Sequence, residues 1–581
     1  MSSEGLIYAT AYEKAIFWAN NVIETQEEKE IIEKMLNNKE ELIDAFYQDL
    51  EFGTGGMRGI IGLGTNRMNV YTVQIATQGL CNYINKEFKD YPKRVVIAYD
   101  SRLNSKELAY ATAEVFIANN YETYMFDDIT PTPLLSYAIR KLNCVTGVVI
   151  TASHNPKEYN GYKAYGPDGA QFVIPHDTNI INEINKISCH KSVKRNQNFK
   201  NFIKFINNNF IAEYFNDAKK ILINSSLIEK HNDIKIVFTP LHGTSYKVLP
   251  DIAKLLNLKN FYIVEEQAIP DGNFPTVKNP NPEDHEALSM AINFAKKINA
   301  DLIIATDPDA DRIAISIKHN NDYIIFNGNQ TASLITYYIL YHYSKNNLLK
   351  GNEFVVKTIV TTELLRKICN SFSVKIYDVL TGFKYIAELI KKNEGKQKFI
   401  CGGEESYGFL ISDFVRDKDA ISTSIFIIEM ACWAKDNNMT LFDLLLNIYE
   451  KFGLHYETQF SLTKKGLEGQ NEIKNLMQKF RNNKIENIEN EKIVIIKDYL
   501  LSKEINLIDK KENSISLPQS DVIQFITENE TIITIRPSGT EPKIKFYIQL
   551  CSKLENKDNY EITLNYLKNK AERLKCFLQS F

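Results

Sequence analysis

The sequence predicts an α/β protein of several domains, and three observations carry this prediction. The chain has 581 residues, and cores of ordinary size organise about 100–200 residues each. Short β-branched runs alternate with helix-length amphipathic stretches over most of the chain. The runs are almost continuously apolar, and each ends in a polar loop rich in Gly, Pro or Asp. We therefore expect mixed or parallel sheets.

The composition is that of an ordinary soluble globular protein. Hydrophobic residues make up 44% of the chain and charged residues 24%, and the formal net charge is −3. This balance gives no reason to expect nucleic acid or a membrane surface as a partner. The longest apolar stretch, ISTSIFIIEMACWA at 421–434, is too short to cross a bilayer and contains Glu429.

Cysteine usage and the first residues indicate the compartment. The eight cysteines are far apart and form no CxxC pair, which favours reduced thiols. The histidines show no zinc-binding spacing. The segment MSSEGLIYATAYEK has neither a basic region nor an apolar signal segment. We expect a cytoplasmic protein.

The elements follow from periodicity. Residues 1–50 are predicted to be helical, because apolar residues recur there at three- and four-residue spacing. Strand-like runs that lead into polar loops are VVIAYDSR (95–102), VVITASHNP (148–156), IKIVFTPLHGT (234–244), LIIATDPDADR (302–312), FVVKTIVTTE (354–363) and KFICGGEESYG (398–408). Between them, 105–120 and 284–300 have the pattern of helices. Ligands of such sheets bind beyond the carboxyl ends of the strands, so these loops are the candidate sites.

The pattern changes near residue 455. Two strand-like runs surround RPSGTEPK, and a long helical segment follows, which predicts a smaller α+β domain. We predict domains at 1–205, 206–320, 321–450 and 451–581, of which the first three are α/β units of similar size. The polar stretch 188–210 is predicted to be a linker.

The loop DPDADR (307–312) contains three alternating aspartates. An extended loop would turn Asp307, Asp309 and Asp311 to one side, where their charges repel unless a cation lies among them. Hard oxygen ligands suit Mg²⁺ or Ca²⁺. The spacing does not fit an EF-hand, because Arg312 and Lys318 stand where that motif needs Gly and Glu. The alternative is a solvated acidic turn.

RPSGTEPK (536–543) has the residue types of a phosphate site. Arg536 offers a bidentate fork, and Ser538 and Thr540 add hydroxyl donors. Gly539 permits close approach of backbone N–H groups to an anion, and Lys543 adds positive charge. The alternative is an ordinary turn, since Pro-Ser-Gly is common there.

Two further loops give weaker signals. In GGEESYG (402–408), Glu404 and Ser406 could bind sugar hydroxyls, although a loop without function has the same composition. In TASHNPKEYNGYK (151–163), Ser153 precedes a turn and could simply be a cap. No Ser-His-Asp spacing supports acyl transfer at Ser153. A serine that carries a phosphoryl group needs Mg²⁺ and in-line positioning more than a strong base.

Together these loops resemble one family, the α-D-phosphohexomutases, which include phosphoglucomutase and phosphomannomutase. The resemblance covers essentially the whole chain, in order. TASHNP is similar to the phosphoserine loop, DPDADR to the metal loop, GGEESYG to the sugar loop and RPSGTEPK to the phosphate loop. FGTGGMRG (52–59), TPTPLL (130–135), TPLHGT (239–244) and TGFK (381–384) match other loops of the family.

Within this family, the chain most resembles the phosphoglucomutase and phosphopentomutase branch. Its length and the motifs GGEESYG and VRDKDA (415–420) indicate this. Phosphomannomutase-type members tend to have a histidine shortly after Glu-x-Ser. Tyr407 and Gly408 stand there instead, so a proton-transfer role of that histidine cannot be carried over.

The resemblance implies a fold and a mechanism. Three similar mixed-sheet α/β domains and a smaller α+β domain would surround a central cleft. Ser153 would be phosphorylated, and Mg²⁺ would bind the three aspartates and a phosphoserine oxygen. The phosphoryl group would pass to O6 of glucose 1-phosphate, giving glucose 1,6-bisphosphate as intermediate and activator. This intermediate would turn end for end and return its 1-phosphate to Ser153, leaving glucose 6-phosphate.

Other roles follow from the same resemblance. The substrate phosphate would be held by Arg536, Ser538, Gly539, Thr540 and Lys543. Arg58 would stabilise the charge of the transition state, because a guanidinium with a pKa above about 12 is a poor base. Lys163 would take part in the proton transfer. His154 would orient the loop or hydrogen-bond the phosphate. Arg312 would orient the metal loop or contact the substrate, and Lys384 would be a second phosphate or substrate contact.

Several alternatives stay open at this point. The substrate could be a pentose or mannose phosphate. A Mg²⁺-dependent sugar-phosphate phosphatase would need a water path that a mutase must exclude. A non-catalytic sugar-phosphate binder is disfavoured, because the serine and all three aspartates are present. We expect small sugar phosphates as partners and a monomer or weak homodimer.

Overall fold

The structure is a computed structural model that describes residues 3–53, 56–464, 466–483, 485–538 and 543–581. The chain divides into two compact units. The first consists of Met1–Phe326, Phe383–Ile400 and Ser406–Asp436. The second consists of Asn327–Gly382, Cys401–Glu405 and Asn437–Phe581.

The N-terminal segment is helical, as predicted. It contains α1 (Ser3–Asn21), α2 (Gln26–Met35) and α3 (Lys39–Phe46). Side chains of Thr25 and Asn38 cap α2 and α3 by accepting backbone N–H groups, which fixes where each helix begins. Trp18 packs edge-on against Phe46 and Tyr71 and buries the apolar face of these helices.

The first sheet of unit one is mixed. Its region contains β1 (Phe52–Gly53), β2 (Gly56–Ile60), α4 (Val70–Glu87), β3 (Arg94–Tyr99), α5 (Ser105–Ala118), β4 (Glu122–Phe126), α6 (Thr132–Lys141), β5 (Thr146–Ile150), β6 (Tyr159–Tyr165), α7 (His176–Asn185) and β7 (Ile203–Ile206). The strand order is β1-β2-β6-β5-β3-β4-β7. Strands β5, β3, β4 and β7 run parallel, whereas β6 is antiparallel to β5 and to β2.

The predicted linker is wrong in its last part. Residues 203–206 of the stretch 188–210 form β7, which pairs in parallel with β4 as an edge strand. Ile203 and Ile206 are buried while the two residues between them are exposed. The strand has only four residues, and the Asn- and Lys-rich segments on both sides of it made the whole stretch resemble a loop.

The second sheet of unit one is also mixed. Its region contains α8 (Asn208–Ala218), α9 (Ser226–Lys230), β8 (Lys235–Thr239), α10 (Ser245–Leu255), β9 (Asn260–Ile263), α11 (Glu265–Ala268), α12 (Ser289–Ile298), β10 (Leu302–Thr306), β11 (Ile313–His319) and β12 (Asp322–Phe326). The strand order is β12-β11-β10-β8-β9, with β10, β8 and β9 parallel. Helix α12 begins at Ser289, later than the predicted 284, because turns occupy the residues before it.

The remaining elements begin with α13 (Gly328–Lys345), β13 (Glu353–Thr358), α14 (Leu364–Ser371), β14 (Lys375–Val379), α15 (Phe383–Asn393), β15 (Lys398–Gly403), β16 (Phe409–Ile411), α16 (Ala420–Asp436) and α17 (Leu441–Phe452). Strands β13 and β14 are parallel neighbours in unit two. In the run FVVKTIVTTE (354–363) the strand ends at Thr358, and IVTTE (359–363) continues as a loop.

An antiparallel sheet in unit two confirms the predicted C-terminal α+β region. Its elements are β17 (Leu454–Thr463), α18 (Gly466–Asn482), β18 (Asn487–Ile488), β19 (Glu491–Asp498), β20 (Lys503–Asn506), β21 (Lys511–Ser514), β22 (Ile523–Thr527), β23 (Ile532–Pro537), β24 (Lys543–Ser552) and α19 (Tyr560–Gln579). The strand order is β17-β24-β23-β22-β19-β20-β21. Among the described helices, none is long and apolar enough to cross a membrane.

Candidate active site

The loop after β10 brings three aspartates together. Asp307, Asp309 and Asp311 are buried, and one carboxylate oxygen of each lies within 4.8 Å of the others. The backbone N–H of Ala310 donates to the carbonyl of Asp307, and Ala310 has a positive φ of 53°. The carboxylates converge as predicted, but a tight turn gathers them instead of extended alternation.

The charges of these aspartates are unequally compensated. Burial and the neighbouring Asp309 and Asp311 hold the pKa of Asp307 well above its usual range. Burial also acts on Asp311, but Lys418 and Lys163 outweigh it and hold the pKa of Asp311 well below its usual range. The ammonium of Lys163 lies 2.8 Å from Oδ2 of Asp309, and that of Lys418 lies 3.2 Å from Oδ2 of Asp311.

The donor set fits a hard divalent cation. Oδ1 of Asp309 and Oδ1 of Asp311 are buried without a hydrogen-bond partner, which is costly unless a ligand satisfies them. Carboxylate oxygens are the ligands that Mg²⁺ and Ca²⁺ prefer. Over the parts of the chain that the structure describes, no second cluster of three or more such side chains could hold a metal.

Ser153 lies at the same point, in the loop that follows β5. Its Oγ donates to Oδ2 of Asp307 over 2.5 Å and lies 3.1 Å from Nδ1 of His154. Ser153 is 3% exposed and has a φ of 52°, a left-handed conformation that is uncommon for a residue with a side chain. Burial, and then Arg312 and Arg58, hold the pKa of His154 well below its ordinary value, so this imidazole is neutral.

Arg102 holds the serine loop in place. Its guanidinium donates to the backbone carbonyls of Ser153 at 2.6 Å, Pro156 at 2.8 Å and Tyr159 at 2.9 Å, and also to that of Asn155. The side chain is buried and lies over the ring of Phe274 at 5.0 Å. Sequence reasoning missed this residue, although its position at the carboxyl end of β3, in YDSR, was a usable signal.

Two more contacts to the aspartates were not predicted. The hydroxyl of Thr132, in TPTPLL, donates to Oδ2 of Asp309 at 2.9 Å. Lys418, in VRDKDA, pairs with Asp311 and with Asp417, 3.1 Å away. Both motifs were noticed in the sequence, but nothing in their spacing connected them with DPDADR.

The predicted cations Lys163, Arg58 and Arg312 lie around this loop. Burial acts to lower the pKa of Lys163, but Asp309 and Asp311 outweigh it and raise the pKa, so Lys163 is an ammonium ion. Arg58, on β2, donates to Oδ1 of Asn155 at 3.0 Å. Arg312 donates to Glu283 at 2.7 Å, and its backbone N–H donates to Asp307 at 2.9 Å.

The sugar-loop residues have different surroundings. The Glu404 carboxylate, in unit two, accepts the backbone N–H of Gly382 at 3.1 Å. Ser406, in unit one, is half-buried. Lys384, also in unit one, is buried, and its ammonium lies 3.1 Å from Oδ2 of Asp177. Its charge is therefore already paired, and substrate contact by Lys384 stays a prediction.

Part of the predicted phosphate loop is described, in unit two. Arg536 lies near the end of β23 and Lys543 begins β24, and the backbone N–H of Ser538 donates to the carbonyl of Lys543 at 2.7 Å. Burial and then Glu405 raise the pKa of Tyr547 to about 12, although its hydrogen bond with Arg536 acts in the opposite direction. Gly539 and Thr540 lie outside the described residues.

Comparison with known proteins agrees with this arrangement. Models described as α/β/α domains I, II and III of phosphoglucomutase/phosphomannomutase match residues 49–191, 212–320 and 327–452. Phosphoglucomutase of Staphylococcus aureus strain MW2 is 39% identical over 529 residues, which are 90% of this chain and 93% of that protein. For strain bovine RF122 / ET3-1 the identity is 39% over 514 residues, covering 87% and 90%.

Solved structures show the same fold. Parafusin from Paramecium, a phosphoglucomutase in its open form, is similar with a TM-score of 0.66 at 17% identity, covering 91% of this chain and 96% of that one. A phosphoglucomutase/phosphomannomutase family protein from Burkholderia thailandensis has a TM-score of 0.64 at 17% identity, covering 91% and 97%. At such low identity these two likenesses describe the fold alone.

Proposed function

The chain belongs to the phosphoglucomutase/phosphomannomutase family, and we propose that it is a phosphoglucomutase that interconverts glucose 1-phosphate and glucose 6-phosphate. The chemical argument for this proposal rests on one observation. The Oγ of Ser153 lies 2.5 Å from Asp307, in a cluster of three buried carboxylates that fits a divalent cation. A hydroxyl in that position suits phosphoryl transfer better than acyl transfer.

The proposed reaction has two transfers. In the first, the bond between Oγ of phosphorylated Ser153 and phosphorus breaks as O6 of glucose 1-phosphate bonds to phosphorus. O6 loses a proton and Oγ gains one, so the proton count is unchanged. In the second, Oγ of Ser153 bonds to the phosphorus of the 1-phosphate of glucose 1,6-bisphosphate as the bond between that phosphorus and O1 breaks. Oγ loses a proton, O1 gains one, and glucose 6-phosphate leaves.

Asp307, Asp309 and Asp311 are the residues that would hold Mg²⁺. When bound, this ion supplies charge neutralisation for the phosphoryl oxygens. The unsatisfied Oδ1 atoms of Asp309 and Asp311 support this assignment. Lys163 and Lys418 balance the charge of Asp309 and Asp311, which allows three carboxylates to stay close together.

The proton and the developing charge are assigned to basic residues beside the serine. Lys163 is protonated, so it suits the supply of the proton that Oγ of Ser153 gains better than the removal of one from O6. Arg58 would stabilise negative charge on the transferring group, because its guanidinium does not exchange protons readily. His154 is neutral and lies against Oγ, which suits orientation of the serine by a hydrogen bond.

Substrate recognition is assigned to the other loops. Arg536, Ser538 and Lys543, with Gly539 and Thr540, would hold the phosphate that is not transferred. Glu404 and Ser406 would bind sugar hydroxyls, and Arg312 and Lys384 would make further contacts. These roles stay proposals, as does the preference for glucose over mannose or pentose phosphates.

The test is a substrate comparison with a phosphate assay beside it. Glucose, mannose and ribose 1-phosphates are each supplied with Mg²⁺ and a catalytic amount of the matching bisphosphate. We expect glucose 6-phosphate to form fastest, with almost no inorganic phosphate. Faster turnover of ribose or mannose 1-phosphate would reassign the substrate. Release of inorganic phosphate that matches substrate loss would identify a phosphatase instead.

A further inference from the structure

A cavity lies in unit two, and none of its lining residues belongs to the loops assigned to catalysis. Its volume is about 530 Å³, within the range of sites for small molecules. One wall is apolar and includes Ile359, Ile526 and Leu550. Basic side chains of Arg366, Lys367 and Lys497 also line it. The carboxylates of Glu363, Asp378 and Glu530 line it as well, so the cavity combines an apolar wall with charges of both signs.

The innermost charges of this cavity compensate one another. Lys357 is fully buried, and its ammonium lies 2.8 Å from Glu363 and 3.2 Å from Asp378. The Arg366 guanidinium pairs with the same carboxylates, at 2.7 Å from Glu363 and 2.5 Å from Asp378. Two cations and two carboxylates form a closed neutral group. This group gives the cavity a fixed polar floor but no net charge.

Lys367 and Lys497 differ from that group because their carboxylate partners stay partly accessible to solvent: the Glu504 side chain is 28% exposed, and Glu530 lines the cavity itself. Lys367 lies 2.7 Å from Glu530, whose side chain is 63% exposed. Lys497 lies 3.2 Å from Glu504 on β20, which is outside the lining. Fully exposed ion pairs contribute only about 0–1 kcal/mol, and these two pairs are partly exposed, so an anion in the cavity can compete with Glu530 and Glu504 for the two ammonium groups.

We propose that this cavity binds a small organic phosphate, namely a monophosphate ester that carries an apolar or aromatic group. The phosphate would lie against Lys367 and Lys497. The apolar group would cover Ile359, Ile526 and Leu550. The volume admits a ligand up to about the size of a mononucleotide.

Hydrogen bonds connect the wall of the cavity with the sugar loop GGEESYG, through residues 358–361. The side-chain amide of Gln549 donates to the carbonyl of Val360 at 3.0 Å. In the same loop, the hydroxyls of Thr358 and Thr361 donate to Glu405 at 3.2 and 3.3 Å. Glu405 adjoins Glu404 in GGEESYG. A ligand that shifts residues 359–361 thus changes the support of the sugar loop, so it should alter the KM for sugar phosphate.

The binding test uses calorimetry and needs no turnover, so it does not depend on the proposed function. Ser153→Ala protein saturated with glucose 6-phosphate is titrated with inorganic phosphate, phenyl phosphate and adenosine monophosphate. We expect phenyl phosphate and adenosine monophosphate to bind about tenfold or more tightly than inorganic phosphate, because only they cover the apolar wall. Tighter binding of adenosine monophosphate than of phenyl phosphate would identify a nucleotide as the source, and the reverse a simple aryl phosphate.

Variants connect the binding to this cavity. Lys367→Gln combined with Lys497→Gln should weaken binding by about tenfold or more, since two charge-assisted bonds are lost. Lys503→Gln, on β20, changes an exposed lysine outside the cavity lining; it is the matched control and should bind like the parent protein. Absence of binding by both esters, equal binding of inorganic phosphate, or unchanged binding in the double variant would each overturn the proposal.

Discussion

The hydroxyl of Ser153 and the carboxylate of Asp307 meet at 2.5 Å, although 154 positions separate them in the chain. Ser153 lies in the loop that follows β5, and Asp307 directly follows Thr306, the last residue of β10. Each strand belongs to a different sheet, so the contact joins the carboxyl ends of two sheets. The ligands of α/β proteins bind at such strand ends. The predictions for Ser153, Asp309 and Arg102 depend on this contact.

Replacing Ser153 by alanine should remove turnover without unfolding the protein. We expect kcat to fall by at least about a thousandfold, or about 4 kcal/mol, because no other group here can carry the phosphoryl group through the same position. Activity is measured with glucose 1-phosphate, and phosphorylation by intact-protein mass after incubation with glucose 1,6-bisphosphate. The wild type should gain one phosphoryl group and the variant none.

The exposed Ser192 provides the control for this experiment, since its hydroxyl only bonds the carbonyl of Cys189. Ser192→Ala should keep both activity and phosphorylation. Full activity of Ser153→Ala would mean that the reaction does not pass through this serine.

Replacing Asp309 by asparagine should weaken metal binding directly. The change removes one negative charge and leaves the Lys163 ammonium less compensated, so we expect affinity for Mg²⁺ to fall by about tenfold or more. Calorimetric titration with Mg²⁺ measures this independently of activity. Asp251→Asn, on the exposed face of α10, is the control and should bind Mg²⁺ like the wild type. Equal affinity of Asp309→Asn and wild type would exclude Asp309 as a ligand.

The sequence was sufficient to predict the α/β fold, a C-terminal α+β region and the convergence of the three aspartates. These depend on patterns within short segments: β-branched runs, helical periodicity and alternating carboxylates. The edge strand β7 was missed because it has only four residues, lies in an Asn- and Lys-rich stretch and pairs with β4, which is distant in the chain. Local composition does not reveal such tertiary pairing.

The residues that support the site could not be predicted from the sequence, for a related reason. Arg102 acts on backbone carbonyls, which every residue has, so nothing in the sequence of 153–159 indicates its partner. Thr132 and Lys418 reach the aspartates from elements that are distant in the chain. The turn at Ala310 was equally hidden, because a positive φ at alanine is unusual.

His190 should make stability depend on pH. Burial, and then Arg195, lower its pKa from 6.5 to about 4, although Glu24 acts in the opposite direction. Its Nε2 lies 2.6 Å from Oε1 of Gln74. The unfolded chain binds a proton at higher pH than the folded one, so this contribution is present above pH 6.5 and is lost as pH falls toward about 4.

Urea unfolding across that range measures this contribution. The free energy of unfolding of wild type should fall more steeply from pH 6.5 to about 4 than that of His190→Gln, because glutamine does not titrate. His285→Gln, which changes an exposed histidine, should follow the wild-type slope. Parallel curves for wild type and His190→Gln would contradict the prediction.

Arg102→Lys should lower both stability and kcat, because lysine cannot replace the arginine at the serine loop. The guanidinium donates to four carbonyls, and it keeps Ser153 at a φ of 52°. An ammonium ion lacks the planar fork and would leave buried carbonyls unsatisfied, at about 1–3 kcal/mol. The serine would then leave its position against Asp307, so we expect kcat to fall about tenfold or more while KM changes little.

Arg94→Lys separates this effect from the general loss of an arginine. Arg94 is 42% exposed and bonds only Glu122, so its replacement should leave unfolding and kcat close to those of wild type. A merely structural role of Arg102 would lower the unfolding temperature and leave kcat unchanged at temperatures where the variant is folded. A positioning role predicts that kcat, and the rate at which Ser153 takes up a phosphoryl group from glucose 1,6-bisphosphate, fall together in the folded protein.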